Sequence, residues 1–171
     1  MNKKRIIAGL CIFATLAAVY ACKVSYSFSG ASIAPEVKTV SIQQFQNLAT
    51  LVVPVLSSQL TEALQDKFSR QTRLTLVRED GDFSFEGDIT NYTSTPIAVT
   101  GDEYASMNRL TITVKVNFVN KIQPEYNFSR QFSAYEDYDS NQLMQEVEPT
   151  LLPQIIEKLV DDIFNQAVSN W

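Results

Sequence analysis

Residues 109–119 read Arg-Leu-Thr-Ile-Thr-Val-Lys-Val-Asn-Phe-Val (RLTITVKVNFV) and alternate polar with apolar side chains from Arg109 to Phe118. Successive side chains of a strand point to opposite faces. Leu110, Ile112, Val114, Val116 and Phe118 therefore share one face, and Arg109, Thr111, Thr113, Lys115 and Asn117 the other. Such alternation marks a strand with one buried and one wet face.

Downstream, residues 126–135 form a second strand, hairpin-paired to the first through 121–125, with Phe128 and Phe132 toward the core. Glu136-Asp137-Tyr138-Asp139 reads as an acidic connector. A last helix is expected from about Pro149 to Trp171, because Leu152, Ile155, Ile156, Leu159, Val160, Ile163 and Ala167 fall in one broad stripe. Trp171 is expected to pack down its last turn.

Upstream, residues 37–45 (VKTVSIQQF) read as a first strand with Val40 and Ile42 on one face. Pro54 suits the first turn of a helix. Leu56, Leu60, Ala63, Leu64 and Phe68 then recur at helical spacing, predicting a helix of about 16 to 18 residues that ends near Arg70. Residues 73–77 and 83–92 are two more strands, with Phe83, Phe85 and Ile89 alternating in the second. Glu79-Asp80-Gly81-Asp82 between them reads as a hairpin turn with Gly81 where positive φ is tolerated. Residues 93–108 are less regular, with a strand remnant at 97–99 and a loop at Gly101-Asp102-Glu103.

The order strand, helix, meander, helix predicts an α+β two-layer sandwich: about four mostly antiparallel strands with two helices on one face. The opposite face stays wet and carries Thr, Lys, Arg and Asn.

Composition narrows the chemistry. The 171 residues contain no histidine, so neither a Ser-His nor a Cys-His nucleophile is available, and zinc sites with histidine ligands are excluded. Five glycines form no phosphate-cradling loop. Asp80 and Asp82 lack calcium-loop spacing and read as turn residues. No enzyme, cofactor or metal is predicted; carboxylate-only hydrolysis is the one enzymatic alternative. The net charge of −5 falls to near −8 once Lys3, Lys4 and Arg5 are set aside, which argues against a nucleic-acid partner.

Those three basic residues begin a leader. An uncharged apolar run of about 14 residues, Ile6 to Val19, spans roughly 21 Å as a helix, short of the ~30 Å bilayer core. It reads as an export signal rather than a membrane span. Val19-Tyr20-Ala21-Cys22 is similar to the lipobox of bacterial lipoproteins, although Tyr20 departs from the small or aliphatic residue of that pattern. Ordinary cleavage near Ala21 is the alternative. Cys11 lies within the apolar run, so processing leaves Cys22 alone and no intramolecular disulfide. The expected organisation is a signal peptide at 1–21, a lipidated tether at 22–35 and one domain at 36–171.

Taken in order, YSFSGASIAPEVKTVSIQQFQN, TEALQDKFSRQTRLTLV, GDFSFEGDITNYTSTPIAV, NRLTITVKVNFVN and IEKLVDDIFNQAVSNW resemble the LptE-type LPS-assembly lipoproteins of Bacteroidetes-like bacteria. The resemblance spans nearly the whole chain after Cys22. It implies an acylated Cys22, carrying a diacylglyceryl group and an N-acyl chain, at the periplasmic face of the outer membrane. It also implies partnership with an LptD-like β-barrel, support of that barrel's assembly, and delivery of lipopolysaccharide to the outer leaflet. Lipopolysaccharide carries phosphates, which favour Lys and Arg. The candidate contacts are Arg109 and Lys115 on the wet face and Arg73, Arg78 and Lys121 at strand ends. The competing expectation is a periplasmic lipoprotein module that regulates another envelope complex, such as a cell-wall synthase.

Overall fold

The computed structural model describes residues 33–51, 53–97 and 106–168. The signal, Cys22, residues 98–105 (with the loop at Gly101-Asp102-Glu103) and Trp171 lie outside them. In chain order the elements are β1 (Thr39–Ile42), β2 (Gln46–Asn47), α1 (Pro54–Gln71), β3 (Thr75–Val77), β4 (Phe83–Ile97), β5 (Met107–Asn120), a single 3₁₀ turn at Pro124–Tyr126, β6 (Phe128–Asp139) and α2 (Met144–Val168). The strands form one sheet in the order β3-β1-β4-β5-β6, with β2 also paired to β4.

The α+β class and the two helices agree with the expectation. The sheet does not: it has six strands and is mixed rather than four-stranded and mostly antiparallel. β4–β5 and β5–β6 pair antiparallel. β1 pairs parallel with both β3 and β4, and β2 parallel with β4. The expected hairpin of residues 73–77 with 83–92 is replaced by a β1-α1-β3 crossover, which a parallel pair requires.

Residues 79–82 show why. The Asp82 carboxylate accepts the N–H groups of Lys38 (2.8 Å) and Thr39 (2.9 Å) and the Thr39 hydroxyl (2.9 Å), while the Asp82 N–H donates back to Thr39 Oγ1 (2.9 Å). The segment thus clamps the start of β1 between β3 and β4. Gly81 does not supply positive φ; Asp80 does, at 59°. Glycine is needed at 81 because a Cβ there would lie 2.4 Å from Ser41 N and 2.6 Å from Phe83 O.

The first strand is broken at 43–45, where the chain turns Phe45 into the core, fully buried. Its N–H donates to the Thr61 hydroxyl of α1 (3.1 Å), and its carbonyl accepts from Ser57. The ring occupies space that a Cβ on Gly87 would fill, 2.6 Å from Phe45 Cε1. Past a bulge at Ile89/Asn91, β4 continues to Ile97 opposite Met107, so 93–97 is strand rather than irregular chain.

The five predicted apolar residues of β5 are all buried under the helices. α1 starts at Pro54 and buries Leu56, Leu60, Leu64 and Phe68 as its spacing predicts. The Phe68 ring lies 5.0 Å from both Phe85 and Phe164, joining α1 to the sheet and to α2. α2 begins at Met144, five residues before the expected start, and carries Pro149 and Pro153 inside it. Burial of Leu151, Leu152, Ile155 and Ile156 keeps the helix going past both prolines. Lys158 of α2 pairs with Glu136 (2.7 Å) and Arg130 bonds Gln166, so α2 runs antiparallel to β6. α1 likewise runs back along β1, and the two helices are therefore parallel.

β6 extends to Asp139, so 136–139 is strand, not a connector. Tyr138 is buried with its hydroxyl 2.7 Å from Ser94 Oγ. On the same buried face, the Tyr92 hydroxyl makes no hydrogen bond of ordinary geometry among the described residues but lies beside the Glu148 carboxylate, and burial together with that charge pushes its pKa up.

Candidate interaction surfaces

The face of β4–β5–β6 away from the helices is polar. Thr113 and Ser133 hydroxyls meet at 2.9 Å across β5 and β6, and Ser129 donates to Asn117 Oδ1 (2.6 Å). These rungs follow directly from the alternation: residues opposite the buried ones are Thr, Asn, Ser and Gln.

Arg109 is the most constrained cation here. Its Nε and Nη2 donate to the two carboxylate oxygens of Asp137 at 2.7 and 2.9 Å, and the guanidinium lies 3.7 Å from the centroid of the Tyr135 ring. The hydrogen bond from Arg109 holds the Asp137 carboxyl below its ordinary range, and Asp137 in turn raises Arg109. Lys115, six residues along β5, sits between Asp88 of β4 and Gln131 of β6 in the strand register and makes no ion pair among the described residues.

The other three candidates lie elsewhere. Lys121 follows β5 and bonds the Asp80 carbonyl (2.9 Å) and carboxylate (3.1 Å). Arg73 precedes β3 and donates to the Ile33 carbonyl (3.4 Å). Exposed Arg78 follows β3 beside Gln43 and Gln44. The fold thus brings Arg109 and Lys115 to one face, about 20 Å apart at strand rise, and does not converge the five on one site. Sequence reasoning missed Asp137 and Tyr135. The signal was present, since extending the hairpin alternation through 139 puts both opposite Arg109 and Thr111.

Among the described residues no three His, Cys, Asp or Glu side chains gather to hold a metal ion. No described helix is long and apolar enough to cross a membrane.

The described residues thus form a two-layer α+β domain with a polar sheet face and five ion pairs at its surface. The model of the lipopolysaccharide-assembly family LptE matches residues 37–167, and the chain belongs to that family. It is therefore an LPS-assembly lipoprotein of a non-enzymatic family associated with the outer membrane. No curated protein matches the sequence. Among solved structures, the chain is similar to a minor lipoprotein from Acinetobacter baumannii (TM-score 0.52, 16% identity, covering 78% of this chain and 94% of that one). It is also similar to a protein from Xanthomonas campestris (0.52, 7%, 81% and 90%). Lipoprotein B from Nitrosomonas europaea shares the fold as well (0.50, 12%, 77% and 83%). At these identities the likeness is one of fold.

Proposed function

We propose that this chain partners an LptD-like β-barrel at the periplasmic face of the outer membrane, supports its assembly and helps deliver lipopolysaccharide to the outer leaflet. The observation that carries the reading is the family match across 37–167, which covers every described strand and nearly all of α2. Barrel interiors are polar, and the hydroxyl- and amide-rich sheet face is suited to lie against one. Residues 1–21 act as the export signal, Cys22 carries the lipid, 22–35 is the tether and 36–171 the working domain. The 11 peptide links from Cys22 to Ile33 reach at most about 40 Å, enough to hold the domain near the membrane while it docks. Multiple acyl chains make that anchoring firm.

For lipopolysaccharide, Lys115 and Arg78 offer cations that are in no ion pair among the described residues. Arg109 and Lys121 must give up Asp137 and Asp80 to meet a phosphate, and Arg73 must give up the Ile33 carbonyl.

The test is affinity purification from outer membranes combined with depletion. The expected result is copurification of a large β-barrel, with lipopolysaccharide lost from the surface and the barrel misassembled on depletion. Normal surface lipopolysaccharide with no copurifying barrel overturns the proposal. Copurification of a cell-wall synthase instead replaces it with the regulatory alternative. Mass spectrometry of the mature N-terminus checks the acylated Cys22.

A further inference from the structure

Because α1 and α2 lie side by side and parallel, they leave a groove on the side of the helical layer away from the sheet. One stretch encloses about 520 Å³ and is floored by Ala63, Pro153, Ile156 and Val160. A second stretch of about 280 Å³ continues it toward Val55 and Pro149, sharing Gln59 and Pro153 with the first. From Val55 to Gln71 the groove is about 24 Å long at helical rise.

Two features of the groove point to what fills it. The first is charge. Its two lining cations are committed within the fold, Lys67 to Asp161 (2.7 Å) and Arg70 to Asp66 (2.8 Å). Glu62 and Glu157 have no cation partner among the described residues, so the uncompensated charge is wholly negative. The second is the pair of prolines. Pro149 and Pro153 lack the N–H that would close onto the carbonyls of Gln145 and Pro149, so two acceptors at the groove have lost their α-helical donors. The proline rings also widen the apolar floor.

We infer that this groove docks a basic amphipathic segment of a partner polypeptide, one that places aliphatic side chains on the floor and Lys or Arg against the two glutamates. An elongated apolar trough with charged rims is the form of a helix- or segment-in-groove site. Charge complementarity selects among occupants. A second copy of this chain brings 19 acidic against 14 basic side chains. Phosphate-bearing lipids and nucleic acids are anionic as well. All are disfavoured by the acidic rim. The inference stands whether or not the partner is the barrel.

The experiment places a photo-crosslinking residue at Gln59 in the full-length chain in cells, with Thr111 on the opposite sheet face as control, and sequences the crosslinked peptide by mass spectrometry. The expected adduct at position 59, absent at 111, is a peptide carrying at least two Lys or Arg around aliphatic residues. The double reversal Glu62→Lys/Glu157→Lys should lower its yield about tenfold, equivalent to about 1.4 kcal/mol. The neutral Glu62→Gln/Glu157→Gln pair should fall between, and Glu125→Lys, exposed in the 3₁₀ turn away from both the groove and the sheet face, should leave the yield unchanged. Circular dichroism melts confirm that each variant folds. No adduct, an adduct to a second copy, to lipid alone or to an acidic peptide, or a yield indifferent to the reversals each overturns the inference.

Discussion

β5 and β6 pair residue against residue from Met107 with Asp139 to Phe118 with Phe128, whereas β1 pairs with each of its neighbours over three positions only. The long antiparallel meander is held by its buried row of side chains, so its cohesion is distributed along the strands. The short parallel part is held by a few side-chain-to-backbone bonds concentrated at Asp82 and by the close approach of Gly81. One region owes its stability to packed volume and the other to a polar clamp. The two should therefore fail in different ways.

Phe118→Ala tests the first region and should have the largest effect. Phe118 stacks with Phe83, Phe85 and Phe128 at centroid distances of 5.0, 4.7 and 5.1 Å, and its loss should cost about 3–5 kcal/mol in urea unfolding. A cost below about 1 kcal/mol would erase the contrast. Gly81→Ala comes next: the new methyl meets backbone atoms of both β1 and β4, and stability should fall by about 1–3 kcal/mol. Hydrogen exchange should show the opening confined to β1 and β3.

Asp82→Asn should cost least, about 1 kcal/mol after allowing for solvent, but its pH signature is the sharpest. The Lys38 and Thr39 donors lower the folded carboxyl below its ordinary 3.8. The carboxylate's contribution is therefore complete above that value and is lost as pH falls through the folded pKa. Stability curves of wild type and Asp82→Asn should diverge at neutral pH and converge in acid. Parallel curves across the whole range would show that the clamp is not electrostatic.

The same division decided what was legible beforehand. β5 could be read because Leu110 to Phe118 alternate strictly and its hairpin partner follows a few residues later. α1 could be read because Pro54 opens it and its apolar spacing continues to Phe68. The position of β1 could not, because period-two patterning tells which face a side chain takes and says nothing of which strand lies alongside. Gly81 looked like a turn glycine, and only the backbone of Ser41 pressed against it reveals its actual role. Asp137 and Asp139 looked like loop acids because charge was weighed ahead of alternation, yet both point to the wet face, and Glu136 meets Lys158. The apolar stripe from Leu152 puts the start of α2 only near Pro149, and the turn from Met144 that precedes it carries too little of that stripe to show in the sequence. At the surface, alternation put Arg109 and Lys115 on the same sheet face, as the register has them. The Asp137 clamp follows once the hairpin alternation is carried through 139, whereas the α1–α2 groove required the tertiary pairing.

The central place of β1 also has a consequence in time. Thr39 and Asp82 are 43 residues apart, so at about 5–20 residues per second β1 is made roughly 2–9 s before its β4 partner exists. Thr75 of β3 follows Thr39 by 36 residues, so for most of that interval both hydrogen-bonding edges of β1 are open. The meander, by contrast, closes between near neighbours in sequence. β1 thus cannot enter the sheet until the whole of α1 and β3 has followed it, and until then it needs either a holding chaperone or speed.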